Sequence, residues 1–169
     1  MTILHNYFAN EWKPNIDSFI YSGWKILDSI KDHETVLDIG CGYNLFKPHL
    51  QDRLYGIDPA NDNADEVVSI EDFTSDKKFD VLLCLGSINF GSIETIEKQI
   101  KKLVTFNKEN GRIYWRQNPG QQDHPHEGCK EIDFFKWSFD LNYYFAHKYN
   151  YRVTECKWDK KRIYSLWLK

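Results

Sequence analysis

The sequence predicts an α/β domain in which a mostly parallel sheet lies between helical layers and ends in an antiparallel C-terminal hairpin strand. Three observations predict it. Short, near-continuous apolar runs such as "FDVLLCL" at residues 79–85 have the character of strands buried on both faces. A stretch of helical periodicity lies between two such runs, and alternation of this kind builds layered sheets. The last two runs, "YRVTECKW" and "RIYSLWL", are separated only by "DKK", which is a hairpin connection.

The elements follow in order. Ile16, Phe19, Ile20, Trp24, Leu27 and Ile30 recur near helical spacing, so a leading amphipathic helix is expected over 15–30. Thr35–Ile39, Leu54–Ile57, Val67–Ile70 and Phe79–Leu85 read as the first four strands. The spacers between strands two, three and four are shorter than the dozen or so residues of an ordinary parallel crossover, so those crossovers are expected to be shortened and the sheet edge thinly covered. Ser92 is placed to cap a helix carrying Ile93, Ile96, Ile100, Leu103 and Val104, with the oxygen of the cap accepting a free first-turn amide. A fifth strand, "RIYWRQ", precedes a helix expected from about Asp133 with Phe134, Trp137, Leu141, Tyr144 and Phe145. The terminal hairpin follows.

At 169 residues with 41% hydrophobic content, the chain fits one domain with a full core. We divide it into an N-terminal lid and helix (1–33) and a core (34–169). A net charge of −3 gives no global footprint for nucleic-acid phosphate. The four cysteines, Cys41, Cys84, Cys129 and Cys156, form no CxxC pair, and no apolar run approaches the ~18 residues of a membrane span. A reduced, cytoplasmic protein without a membrane partner is the expectation.

The chemistry concentrates in "LDIGCGYN", residues 37–44. Gly40 and Gly42 follow a strand, but Leu45 stands where the dinucleotide fingerprint needs its third glycine, and no Gly-Lys-Ser/Thr follows as in a phosphate loop. The pattern is instead Asp38, Gly40, Gly42, Asn44, and asparagine tolerates the left-handed backbone better than most residues. Asp58, in "YGIDPAN", ends the second strand. Two carboxylates on adjacent strand ends, beside a turn that allows close backbone approach, suit a ligand with a nucleoside and an ammonium group. Bland alternatives stand beside this: Asp58 before Pro59 as a turn initiator, Asp72 as a solvated carboxylate, and Cys41 as a small packing residue.

On these residues the chain resembles the class I, Rossmann-like S-adenosylmethionine-dependent methyltransferases. The resemblance implies that the turn of Asp38, Gly40, Cys41, Gly42 and Asn44 approaches the methionine end of S-adenosyl-L-methionine. It implies that Asp58 accepts both ribose hydroxyls, that Asp72 and Phe73 in "SIEDF" read the adenine, and that Leu85 and Gly86 at the end of strand four lie against the transferred methyl. S-adenosyl-L-homocysteine would be the product.

The acceptor is less legible. "LGSINFGS" after strand four lacks the Asn/Asp-Pro-Pro-aromatic motif common among enzymes that methylate exocyclic amines of bases. Asn89 is a candidate to orient an acceptor. The loop "WRQNPGQQDHPHEGCKE" at 115–131 offers Arg116 for an acceptor carboxylate or phosphate, and His124 or His126 as a general base. H-x-H-x-x-C is no established zinc spacing, so no metal is expected. Tyr7, Phe8 and Trp12 could form a lid or simply pack. A small-molecule acceptor comes ahead of a protein or nucleic acid, and the oligomeric state is open. The alternative is a non-catalytic or differently reacting S-adenosylmethionine-binding subunit that acts with a protein or nucleic-acid partner.

Overall fold

The computed structural model describes residues 2–120 and 127–169. Six strands, β1 (Val36–Ile39), β2 (Leu54–Ile57), β3 (Phe79–Leu85), β4 (Asn107–Gln117), β5 (Arg152–Asp159) and β6 (Arg162–Leu168), form one sheet in the order β2-β1-β3-β4-β6-β5. The first four pair in parallel, and β6 runs antiparallel to both β4 and β5. This is the expected mostly parallel sheet with an antiparallel hairpin. The helices are α1 (Ile3–Asn10), the single turn α2 (Lys47–Leu50), α3 (Ile93–Leu103) and α4 (Phe139–Lys148).

Successive side chains on a strand face opposite ways, so each central strand feeds two cores. Leu37, Ile39, Leu82, Cys84, Ile113, Trp115, Ile163 and Trp167 pack on one face with Ile96, Ile100 and Leu103 of α3 and Phe145 and Ala146 of α4. Each such apolar side chain contributes about 1.5–3 kcal/mol by leaving water, before the entropy of ordering it. The Ser92 hydroxyl accepts the Thr95 amide as expected. On the other face Val36, Leu54, Val81, Leu83, Tyr114 and Tyr164 meet Ile26, Ile30, Phe46 and Leu50. That layer is made of α2 and short 3₁₀ turns at Ile16–Ser18 and Trp24–Ser29.

The structure corrects four sequence expectations. No α-helix forms over 15–30, because the backbone amides of Ile20, Tyr21 and Ser22 donate to the Asp159 carboxylate rather than along a helix. Val67–Ile70 is not a strand: only Glu66 bridges Ile57, and Ser69 then accepts the amides of Asp72 and Phe73 in a local turn. Such local bonds compete with a ladder. Strands two and four of the sequence reading are therefore joined by one irregular connection, residues 58–78, and the two shortened crossovers do not exist. The last helix begins at Phe139, capped by Ser138, rather than near Asp133. Phe134 bridges Phe90, and the Phe135 and Trp137 amides donate to Asn89 and Asn118. A first helix, α1, stands where none was expected.

At the amino end of the sheet Arg112 grips Glu34 with both terminal nitrogens, at 2.6 and 2.7 Å. Its second nitrogen also reaches the Ser29 carbonyl. Hydrogen bonding to Arg112 holds the Glu34 carboxyl down at about 2, against the burial that would raise it. A depressed carboxylate contributes stability that is present above its ordinary value and lost as pH falls through the folded one. We therefore expect Glu34→Gln to cost about 3 kcal/mol near pH 7 and little near pH 2, measured by urea unfolding of both proteins. An equal gap at both pH values contradicts this account.

Candidate functional site

The chain leaves β1 towards β2 on one side, while β3 lies on the other. This reversal opens a crevice at the carboxyl ends of the strands, where open α/β sheets bind ligands. The loops that meet there follow β1 (Gly40–Asn44), β2 (from Asp58) and β3 (from Gly86).

The turn after β1 is locked to the end of β2. The Gly40 and Cys41 amides both donate to the Ile57 carbonyl, at 2.8 and 3.0 Å. The Gly42 amide donates to Asp58 Oδ2 at 2.9 Å, and Asp58 Oδ1 accepts the Ala60 amide at 2.8 Å. Gly40 and Gly42 have φ of 71° and 54°, values that L side chains adopt at a cost. Space forbids a side chain as well: a Cβ on Gly40 would collide with Ser87, and one on Gly42 would stand 2.8 Å from the Trp12 ring. Asn44 is left-handed at φ 54° and donates to the Asn63 carbonyl at 3.1 Å. Burial, with Asp38 and Asp58 nearby, pushes the Cys41 thiol far up, so it packs as an inert group.

Asp38, on β1, is buried. Burial raises it to about 7, against the opposing pull of Arg116 and with a smaller push from Asp58. Ser87 Oγ is buried and unpartnered. It lies against Gly40, one residue beyond Gly86, at a position that no sequence pattern marks. A hydroxyl after a glycine carries no signal until the fold sets it against the turn.

Other expected site residues sit differently. Arg116 is bonded to carbonyls: Nη1 to Ser22 at 2.8 Å and Nη2 to Leu85 at 2.6 Å. Its guanidinium lies 4.1 Å from the Phe19 ring centroid, and burial lowers its pKa to about 10. It ties the N-terminal segment to the end of β3 instead of presenting an open fork to an acceptor. Asn89 accepts the Asn118 amide at 2.7 Å and joins the loops after β3 and β4. Asp72 is exposed and bonded to Ser69. Phe73 is buried against Phe106 and Tyr55. It borders a surface cavity of ≈ 480 Å³ together with Thr35, Phe79 and Lys108, residues at the amino ends of the strands. The turn is at the opposite ends. His124 and His126 lie outside the described residues.

The N-terminal segment does reach the crevice, with the Trp12 ring over Gly42 and 6.0 Å from Tyr43. It is latched by Asp159, a fully buried residue at the end of β5. This carboxylate accepts the amides of Ile20, Tyr21 and Ser22 at 2.8, 2.9 and 2.7 Å, and the Ser22 hydroxyl at 2.8 Å. Burial alone would raise its pKa, but these donors outweigh burial and hold it below the ordinary carboxylate range. Among the described residues no cluster of His, Cys, Asp and Glu could hold a metal ion, and no helix is long and apolar enough to cross a membrane.

No protein-family model matches the chain, and no curated protein matches it. Solved structures do. Magnesium protoporphyrin IX methyltransferase from Synechocystis, with S-adenosylmethionine bound, aligns with 99% of this chain and 95% of its own, with a TM-score of 0.69 and 12% identity. The 1,6-didemethyltoxoflavin N1-methyltransferase of Burkholderia thailandensis covers 80% of this chain and 71% of its own (TM-score 0.65, 9% identity). A putative methyltransferase of Haloferax volcanii, solved in complex with the Trm112 methyltransferase activator, covers 88% and 89% (TM-score 0.67, 14% identity). At these identities the likeness establishes the fold: the Rossmann-like fold of class I methyltransferases.

Removing the latch leaves three amides and a hydroxyl without their acceptor. Asp159→Ala is expected to cost about 3 kcal/mol or more and to release residues 20–22 locally. Hydrogen exchange reads the second effect: the Ile20, Tyr21 and Ser22 amides should exchange much faster in the variant while those of β1 and β3 stay protected. Unchanged protection at 20–22 would refute the latch.

Proposed function

We propose that this chain is an S-adenosylmethionine-dependent methyltransferase acting on a small-molecule acceptor. One observation carries the reading. The carboxyl edge of β1–β3 presents a glycine turn tied to Asp58, with buried Asp38 beside it and a buried Ser87 Oγ that no described residue satisfies. Buried groups of this kind cost free energy unless a ligand pairs them. The solved neighbours with S-adenosylmethionine or S-adenosylhomocysteine bound support the same ligand.

The residues fit that cofactor. Each oxygen of Asp58 accepts only one amide and keeps a lone pair for a ribose hydroxyl. Asp38 would face the ammonium, and the turn Gly40–Cys41–Gly42 with Asn44 leaves room for the methionine end. Leu85 and Gly86 border the reacting end beside Ser87. Bound there, the cofactor would supply a sulfonium methyl that the acceptor's lone pair takes in line, with the carbon–sulfur electron pair left on sulfur in the departing thioether. The protein's part is alignment and, through Trp12, exclusion of water. Asn89 and Arg116 hold the two loops at their set distance. General-base duty, where the acceptor carries a proton, falls in this reading to His124 or His126. Asp72 and Phe73 have the weakest claim to the adenine, since Phe73 lies at the other end of the strands.

A second reading, a subunit that works only with a protein partner, draws on the Haloferax volcanii neighbour solved with its activator.

Calorimetric titration with S-adenosylmethionine and S-adenosylhomocysteine tests the proposal. Saturable binding is expected, with Asp58→Ala weakening it about tenfold or more through the loss of charge-assisted bonds. Asp38 adds a pH signature. An ammonium beside it favours the carboxylate, so affinity should rise as pH increases through about 7, and Asp38→Asn should flatten that rise. Folded protein that binds neither ligand near millimolar concentration would sink the stand-alone enzyme.

A further inference from the structure

A chain of aromatic rings runs from the glycine turn across the mouth of the crevice. Tyr43, beside Gly42, is 6.0 Å from Trp12; Trp12 is 5.7 Å from Phe8; and Phe8 is 5.3 Å from Phe90, all between ring centroids. Phe90 packs in turn on Phe134 at 5.4 Å. Trp12, Phe8 and Phe90 are only half-buried and Tyr43 is 41% exposed, so these residues keep surface open to solvent. They are also held in place. Beneath them Tyr7, Cys129, Ile132 and Phe134 form a buried cluster, and a hydrogen bond joins the Tyr7 hydroxyl to Cys129. A lid that only excluded water would need apolar bulk. This one offers aromatic faces, whose quadrupoles favour other rings in offset or edge-to-face contact.

The two ends of the chain of rings fix what it serves. Tyr43 belongs to the turn that would hold the cofactor. Phe90 belongs to the loop after β3, three residues beyond Ser87, on the side where the methyl would be presented. At the end of β4, Asn118 Nδ2 is buried and unpartnered. The rest of Asn118 is engaged, its amide donating to Asn89 Oδ1, its carbonyl accepting the Trp137 amide and its Oδ1 accepting the Gly120 amide. That fixes the side chain next to Asn89, the residue before Phe90. An orphaned donor so constrained is satisfied most simply by an oxygen on a ligand.

We propose that the acceptor is a planar aromatic molecule bearing an oxygen substituent, seated against Trp12, Phe8 and Phe90 with its oxygen accepting from Asn118. The assignment of this molecule as methyl acceptor rests on the function proposed above; the aromatic seat itself does not.

The test uses 2-naphthol and decahydro-2-naphthol, which share a skeleton and a hydroxyl but differ in aromaticity. Both are titrated calorimetrically into the full chain saturated with S-adenosylhomocysteine. The aromatic compound should bind saturably and about tenfold more tightly than the saturated one. Phe90→Leu, which keeps apolar bulk, should erase most of that preference while leaving S-adenosylhomocysteine affinity within about twofold. Asn118→Leu should weaken 2-naphthol but leave naphthalene unchanged. Equal affinity for the two naphthols, no saturable binding of 2-naphthol up to roughly 10 mM, or a preference untouched by Phe90→Leu overturns the proposal. If S-adenosylhomocysteine itself fails to bind, the cofactor reading falls. The same pair titrated into the free protein then still decides the aromatic seat.

Discussion

The placement of β1 between β2 and β3 is the constraint on which the remainder of the molecule depends. All four residues of β1 are buried, and it pairs in parallel on both sides. Parallel strands need connections that return across a face, and those connections take one hand. Two connections that leave β1 and β3 in opposite directions part at the carboxyl edge. The parting exposes the turn at Gly40 and sets Asp38, Asp58 and Ser87 around one crevice.

Because the sheet supplies an edge but no walls, other parts of the chain build them. The face that carries α3 and α4 has an ordinary helical layer. The opposite face carries short turns, and these owe their position to two charged groups, the buried Asp159 and the half-buried Arg116. Asp159 reaches from the hairpin to gather three consecutive amides, and Arg116 reaches from β4 to the Ser22 carbonyl. Both work because the backbone groups they satisfy belong to no helix or ladder, and buried backbone groups must find partners somewhere. The cost of burying each charge is offset only while the N-terminal segment stays in place. That makes residues 19–22 a fixed hinge, and the stretch carrying Phe8 and Trp12 lies on its far side, over the crevice.

The same economy explains why the polar side chains at the ends of β3 and β4 are bonded largely to backbone groups. Arg116, Asn89 and Asn118 are the polar types expected of an acceptor site, yet most of their hydrogen-bonding capacity goes into joining the ends of β3 and β4. Among the groups left unpartnered at the carboxyl edge are Asn118 Nδ2, the Ser87 hydroxyl and Asn44 Oδ1. Ligand sites in general recognise by a few placed polar groups against apolar and aromatic surface.

The sequence by itself determined the strands whose apolar runs bury both faces, the α3 helix with its Ser92 cap, the terminal hairpin, and the Asp38–Gly40–Gly42–Asp58 pattern. Local periodicity and backbone permissiveness encode all of these, and such forces act over a few residues. Tertiary structure decided the rest. Residues 15–30 have helical spacing but lose their amides to Asp159, more than a hundred positions away. Val67–Ile70 have strand composition but find no partner beyond a single bridge, and Val67 is left 54% exposed. Residues 133–138 have aromatic spacing suited to a helix but pair with Phe90, Asn89 and Asn118. Ser87 meets Gly40 only in the folded chain. In each case a contact between residues distant in sequence outweighed a local preference worth at most about 1 kcal/mol per residue, and no local pattern records such a contact.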